Sequence, residues 1–136
     1  MTIQPCNGTV QIERIALTTK DPDSLCAFYR RLGGIASPLF TRAEDDLRGY
    51  ALDFCGIRLE VFERPHDPGE AADERTAPRL LHLGFVLGSA DAVDELSRAL
   101  AADGHRVLEP PHRTRETGRY KSVVLDPDGN RLELSV

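Results

Sequence analysis

The sequence predicts an α+β fold in which two tandem βαβββ modules form a curved, cup-like mixed sheet with the helices on its outside. The first observation behind this prediction is an internal repeat at about half the chain length, because residues 14–19 and 82–87 both alternate apolar and polar side chains as strands do. The second is that each of these segments leads into one helical pattern and then into further strand patterns. The chain of 136 residues has the length of a single domain. We expect module 1 over about residues 10–64, a polar linker over about 65–79 and module 2 over about 80–136.

In module 1 a helix is predicted between the first strand and the later strands. Asp21-Pro22-Asp23 supplies a capping residue and a proline suited to the first turn of a helix. Apolar residues from Leu25 to Leu32 recur at helical spacing, and Gly33-Gly34 ends the helix. A tight turn at Cys55-Gly56 joins the last two of the following strand patterns, which cover residues 35–40, 48–54 and 57–63.

Module 2 repeats this order. Ser89 begins a helix whose apolar stripe runs from Val93 to Leu100 and which ends at Gly104. The following strand patterns cover residues 106–108, 119–125 and 131–136. The last two are joined by Asp126-Pro127-Asp128-Gly129-Asn130, where Asp and Gly supply the backbone geometry of a turn.

Composition and charge exclude several classes of partner. The chain carries 22 acidic and 17 basic side chains, a formal net charge of −5, and it has no long basic run. This balance gives no electrostatic attraction for nucleic acid or for an anionic membrane surface. No apolar run approaches the roughly 18–20 residues that span a bilayer, and the N-terminal residues lack a signal-peptide pattern. We therefore expect a cytoplasmic protein whose partner is a small molecule.

The three cysteines are too far apart for a disulfide framework or a thiolate metal cage. Cys6, Cys26 and Cys55 are odd in number and contain no C-x-x-C pair. Cys26 and Cys55 are predicted to be small buried hydrophobic residues.

Strand alternation places four chemically active side chains on the sheet face turned away from the helices. Arg14 and His82 occupy equivalent places in the first strands of the two modules, and Glu60 and Glu133 do so in the fourth strands. Two carboxylates, an imidazole and a guanidinium form a set that binds metal or transfers protons. The small residues on the same face, which leave volume for a ligand, are Ala16 and Gly84.

Four motifs in chain order resemble those of a known superfamily. They are Ile15-Ala16-Leu17 with Asp21 and Phe28-Tyr29, then Arg58-Leu59-Glu60, then His82-Leu83-Gly84-Phe85, and finally Asp126-Pro127-Asp128-Gly129-Asn130-Arg131-Leu132-Glu133. With these motifs the chain resembles, from Ile12 to Val136, the vicinal oxygen chelate superfamily, which includes glyoxalase I, extradiol dioxygenases, fosfomycin resistance proteins and bleomycin resistance proteins. The resemblance implies paired βαβββ modules, the same order that the strand and helix patterns predict.

The resemblance also implies metal ligands at Glu60, His82 and Glu133, for a divalent ion of Zn, Ni, Fe, Mn or Co. The fourth ligand of metal-using members is usually a histidine in the first strand, where this chain has Arg14. Arginine stays protonated and has no lone pair to offer a metal. Two interpretations follow. One is a three-ligand metal site in which Arg14 is swung aside or binds an anionic group of the substrate. The other is a metal-free cavity in which Arg14 pairs with Glu60 or Glu133 and replaces the cation.

Two principal functions correspond to these interpretations. The resemblance favours a metal-dependent lyase or isomerase of the glyoxalase type, acting on a small molecule with adjacent oxygens through an enediolate-type intermediate. In that enzyme Glu133, or Glu60 as second choice, would move the proton. The alternative is a metal-free small-molecule binding protein of the bleomycin-resistance type, although the chain has no Trp and only 6% aromatic residues for stacking. A fosfomycin-type thiol transferase is a third class, but no K⁺-binding loop is recognisable.

Four more residues are predicted to contact the substrate. Tyr50 and Tyr120 fall at corresponding places in the third strands, and Arg58 and Arg131 share a strand face with the glutamates. In the superfamily the modules pair either within one chain or across a dimer interface. We expect a homodimer.

Overall fold

The structure is a computed structural model that describes residues 12–43, 45–64 and 81–136. The predicted linker at 65–79 lies outside the described residues, as do Cys6 and the predicted starts of both modules. The described residues form two compact units, one on each side of the linker. Neither of the two described helices has the length and apolar character needed to cross a membrane.

The first unit is a mixed sheet with one helix. The strand order is β1-β5-β4-β2, and β3 also pairs with β4. β1 runs parallel to β5, and the other pairs are antiparallel. The elements are β1 (Arg14–Thr19), α1 (Pro22–Arg31), β2 (Ile35–Ala36), β3 (Phe40–Thr41), β4 (Arg48–Phe54) and β5 (Ile57–Glu63).

The strand predicted over residues 35–40 is divided into β2 and β3. Pro38 has no backbone N–H to donate to the neighbouring strand. Beside it, the backbone N–H of Ser37 donates to the carbonyl of Ala51 at 2.8 Å, and the Ser37 hydroxyl accepts from the N–H of Ala51 at 3.0 Å. A side-chain oxygen therefore takes the place of a backbone carbonyl, and regular pairing resumes only at Phe40.

The second unit repeats the arrangement with a four-stranded sheet in the order β6-β9-β8-β7. β6 is parallel to β9, and the remaining pairs are antiparallel. The predicted α+β class and the strand–helix–strand order of both modules are confirmed. The elements are β6 (Leu83–Val86), α2 (Ala90–Ala102), β7 (Val107–Arg113), β8 (Tyr120–Leu125) and β9 (Arg131–Ser135).

β7 extends well beyond the segment 106–108 that the sequence predicts. Pro110 and Pro111 suggest a break, because neither can donate a backbone hydrogen bond. Proline is tolerated at an edge strand and at irregular pairings. β7 lies at the end of the strand order, and its pairing with β8 shifts register on both sides of Glu109. The two prolines therefore interrupt the pairing locally without ending the strand.

One helix covers one face of each sheet. Both helices begin at the predicted caps, where Asp21 Oδ1 accepts from the N–H of Ser24 and Ser89 Oγ accepts from the N–H of Ala92, each at 3.1 Å. The opposite faces carry the glutamates described below. The buried apolar side chains of the described residues are Leu25, Cys26, Phe28, Tyr29, Leu52, Leu59, Val61 and Phe62 in the first unit, and Val93, Leu100, Val123, Val124, Leu132 and Leu134 in the second.

The cysteine prediction holds for one residue and fails for the other. Cys26 is buried on α1, where burial raises the pKa of its thiol. Cys55 is exposed, and the prediction that it is buried is wrong. It lies in the turn between β4 and β5 with φ = 50° and precedes Gly56 with φ = 97°. A two-residue hairpin turn of this kind projects away from the sheet, so its side chains do not reach the core.

Candidate functional site

In each unit, the sheet face turned away from the helix carries Glu60 or Glu133 and is called the glutamate face. In the first unit, this face carries an ion pair between the first and last strands. β1 and β5 are parallel neighbours with Ala16 opposite Glu60. Arg14 reaches along this face, where its Nε lies 3.6 Å from Oε1 of Glu60. The glutamate side chain is 13% exposed and the arginine side chain 56% exposed. The carboxylate is thus largely enclosed, while the guanidinium remains open to solvent.

The second unit has the equivalent pair, with an imidazole in place of the guanidinium. His82 directly precedes β6, and its Nε2 lies 3.5 Å from Oε2 of Glu133 on β9. Gly84 lies opposite Glu133 on the same face, and a Cβ built there would meet no atom within 4 Å. The structure therefore brings Arg14 to Glu60 and His82 to Glu133, each pair within its own unit.

Sequence reasoning missed a cation beside Glu133. Lys121 on β8 places its Nζ 3.8 Å from Oε1 of Glu133, and its side chain is only 22% exposed. Val123 lies opposite Glu133, so alternation puts Lys121 on the same face. The sequence does not show which residues of β8 face which side of the sheet, because three consecutive apolar residues, 123–125, hide the alternation in this strand.

Both predicted substrate-binding tyrosines face the helices instead. Tyr50 lies opposite Val61 on the buried face, and its hydroxyl donates to Asp23 on α1. The hydroxyl of Tyr120 donates to Asp94 on α2. In both cases this hydrogen bond is the largest cause of a raised tyrosine pKa. The sequence does not show which face of the third strand each tyrosine occupies, and the prediction placed both in the cavity. In the structure, neither tyrosine lies on the glutamate face.

The two predicted arginines keep their place on the glutamate face. Arg58 precedes Glu60 by two residues on β5, and Arg131 precedes Glu133 by two residues on β9. Both arginines are exposed, and neither forms an ion pair with another described residue. Their role in substrate binding stays a prediction.

The acidic turn before β9 has a structural role in placing Glu133. The carboxylate of Asp126 is buried and accepts hydrogen bonds from the backbone N–H groups of Asp128 and Asn130, each at 2.9 Å. It also accepts one from the side-chain amide of Asn130 at 2.7 Å. This network defines the end of β8 and the start of β9, and hence the position at which Glu133 emerges.

Each of the two glutamates has a basic side chain beside it. Arg14 offsets Glu60 and Lys121 offsets Glu133, each across less than 4 Å. Within neither unit do the described residues bring three His, Cys, Asp or Glu side chains together as a metal site would. The exposed guanidinium and the half-buried ammonium therefore offer donors to ligand oxygens, and the carboxylates offer acceptors.

Comparison with known proteins gives one family match. Residues 11–134 match the model of the family described as "Glyoxalase/Bleomycin resistance protein/Dioxygenase superfamily". No curated protein matches the chain significantly.

Several solved structures are similar over nearly the whole chain. A glyoxalase family protein from Enterococcus faecalis is 25% identical with a TM-score of 0.70, over 94% of this chain and 98% of that one. A glyoxalase/bleomycin resistance protein/dioxygenase family enzyme from Burkholderia phytofirmans PsJN is 23% identical with a TM-score of 0.70, over 93% and 98%. Lactoylglutathione lyase from Agrobacterium tumefaciens is 23% identical with a TM-score of 0.63, over 97% and 95%. At 23% identity the last two show a shared fold only.

Proposed function

Since the chain belongs to the glyoxalase/bleomycin resistance protein/dioxygenase superfamily, we propose that it binds a small molecule with adjacent oxygens at a metal-free site in which Arg14 supplies the positive charge. The observation that carries the proposal is the 3.6 Å contact between Arg14 Nε and Glu60 Oε1, at the place where the resemblance implies a histidine ligand. A guanidinium is a permanent cation with five donors in a fixed plane, and it suits oxygen ligands.

The charges around the carboxylates support a metal-free site. A divalent cation at Glu60 would lie close to the guanidinium of Arg14, and one at Glu133 close to the ammonium of Lys121. Each of these two basic side chains would repel the metal ion, and it would also neutralise the carboxylate that should bind the metal. We infer that this donor set does not fit a divalent metal.

In the proposed site Arg14 binds ligand oxygens and Glu60 holds the guanidinium in place. More than half of the arginine side chain is exposed, so its terminal N–H groups are accessible to a ligand. In the second unit, taken by itself, Glu133 is the equivalent acceptor for a ligand hydroxyl, and Gly84 opposite it leaves room for a ligand.

A second candidate is the metal-dependent lyase or isomerase with a divalent ion of Zn, Ni, Fe, Mn or Co on Glu60, His82 and Glu133. It is favoured by the close approach of His82 Nε2 and Glu133 Oε2, because an imidazole and a carboxylate side by side are donors that these metals accept. The homodimer and the cytoplasmic location stay predictions under either candidate.

Metal binding separates the two candidates. We would measure the metal content of the purified protein and titrate Zn²⁺ and Ni²⁺ by calorimetry into the native chain, Arg14→His and His82→Ala. Arg30→His, a change of the same type at an exposed position of α1, is the matched control. We expect no stoichiometric metal in the native protein and in the control, and a gain of affinity in Arg14→His.

The opposite pattern would overturn the proposal. If the native protein binds about one equivalent of metal and loses it in His82→Ala, Arg14 does not replace the cation, and the metal-dependent candidate takes its place.

A further inference from the structure

Lys121 is an unusual residue in this chain. The sequence has two lysines and otherwise uses arginine for positive charge. Lys20 is exposed, whereas only 22% of the Lys121 side chain is accessible. Burying an ammonium costs free energy unless a partner compensates for it. A half-buried lysine on a sheet face therefore calls for a reason.

The contact of Lys121 with Glu133 neutralises the charge of the ammonium but uses none of its hydrogen-bond donors. The Nζ–Oε1 distance of 3.8 Å is an ion-pair distance, too long for a hydrogen bond. The ammonium has three N–H donors, and none forms a hydrogen bond with another described residue. The same is true of His82, whose Nε2 lies 3.5 Å from the other carboxylate oxygen. Glu133 thus lies beside two nitrogen groups, each of which can still form hydrogen bonds with a ligand.

We propose that Lys121 is an anion-binding residue beside Glu133 in the second unit, so that the ligand carries a carboxylate or similar anionic oxygen next to a hydroxyl. The ammonium binds the anionic oxygen, and Glu133 accepts the hydrogen bond of the neighbouring hydroxyl. This inference rests on the proposed small-molecule function and narrows the class of ligand. Because Lys121 lies beside Glu133, the charge of that carboxylate is offset where the anion binds.

A purely structural role makes a different prediction. If Lys121 only neutralises Glu133, its loss also weakens binding of a charged ligand, because the bare carboxylate repels an anion, but adding Glu133→Gln restores that binding. If Lys121 binds the anion itself, its loss weakens binding of the charged ligand with or without Glu133→Gln. Glycolate and glycolamide form a matched pair for this comparison, since both carry adjacent oxygens and a hydroxyl but only glycolate is an anion.

The experiment titrates the full-length native protein with glycolate and with glycolamide and follows backbone amide shifts by NMR. The variants are Lys121→Met, Lys121→Arg, the double variant Lys121→Met/Glu133→Gln and the matched control Lys20→Met. We expect Lys121→Met to raise the Kd for glycolate about tenfold or more, as loss of a charge-assisted hydrogen bond does, and to leave glycolamide unchanged. Lys121→Arg should retain most of the glycolate affinity, and Lys20→Met all of it.

Three results would overturn the inference, and Arg14→Met identifies which proposal fails. Recovery of glycolate binding in the double variant reduces Lys121 to neutralising Glu133. Weaker glycolate binding in Arg14→Met with no change in Lys121→Met shows that Lys121 does not bind the ligand and leaves the proposed function standing. If glycolate does not bind the native protein at all, both proposals fall.

Discussion

A buried pair of hydroxyls between α2 and β8 allows a sharp test of how the second unit is held together. Ser97 Oγ and Ser122 Oγ are 2.7 Å apart, and the two residues are 3% and 0% exposed. No buried side-chain N or O atom in the described residues lacks a hydrogen-bond partner. Replacing one serine by alanine removes the bond and leaves the other hydroxyl buried, whereas replacing both removes the group that would be left unsatisfied.

The magnitude follows from this asymmetry. Each single substitution, Ser97→Ala or Ser122→Ala, should lower the free energy of unfolding by about 2 kcal/mol, and the double substitution by only about 1 kcal/mol. Urea unfolding followed by circular dichroism measures all three. With an m value of about 2 kcal/mol/M, each single variant should unfold at a urea concentration about 1 M below that of the native protein.

The control is Ser24→Ala on α1, where the side chain is exposed and the change should stay within about 0.5 kcal/mol. The reasoning is refuted if the double variant loses the sum of the two single losses. Additivity would mean that the hydroxyls do not depend on one another.

Two further predictions concern the hydrogen bond between Tyr120 and α2, and the close contact between Gly49 and the neighbouring strand. The hydrogen bond to Asp94 raises the pKa of Tyr120, so its stabilising contribution is full below the unfolded pKa of about 10 and is lost as pH rises through the higher folded value. Unfolding measured from about pH 9 to about pH 12 should show a steeper loss of stability in the native protein than in Tyr120→Phe, and equal slopes would contradict it. Gly49→Ala should destabilise by about 3 kcal/mol, because a Cβ there would lie 2.2 Å from the carbonyl oxygen of Val61. Thermal unfolding should show a marked fall in Tm for this variant and almost none for Gly84→Ala, and equal values for both would count against the close approach.

Local patterns in the sequence were sufficient to predict most of the elements. The bounds of β4 and β5 agree with the predicted 48–54 and 57–63, because alternation and a turn signal mark both ends of each strand. The helix caps at Asp21 and Ser89 are also local signals. The errors fall at Pro38 and at Pro110-Pro111, where the outcome depends on what the neighbouring strand offers. A proline stops pairing in the first case and is tolerated in the second because β7 is an edge strand.

The site was predictable where the repeat supplied a second copy of the same information. Arg14 and His82 could be compared with each other, and alternation placed each on the same face as its glutamate. Lys121 and the tyrosines could not be placed this way, since their orientation depends on the phase of β4 and β8 relative to the neighbouring strand. That phase is a property of the pairing register, which a run such as residues 123–125 does not reveal.

The hydrogen bonds of Tyr50 and Tyr120 show that both units share a strand-to-helix contact although the residues that make it are not at equivalent positions. Tyr50 lies opposite Val61, whereas Tyr120 lies one residue before Lys121, which is opposite Ser135. The rung of β8 that matches Tyr50 is occupied by Ser122, which contacts the helix through another serine. A strand-to-helix hydrogen bond is present in both units although the tyrosine has moved along the ladder. A comparison of the two units at one constant sequence offset therefore misses this correspondence, because the hydrogen bond to the helix is kept while the tyrosine that makes it has moved along the strand.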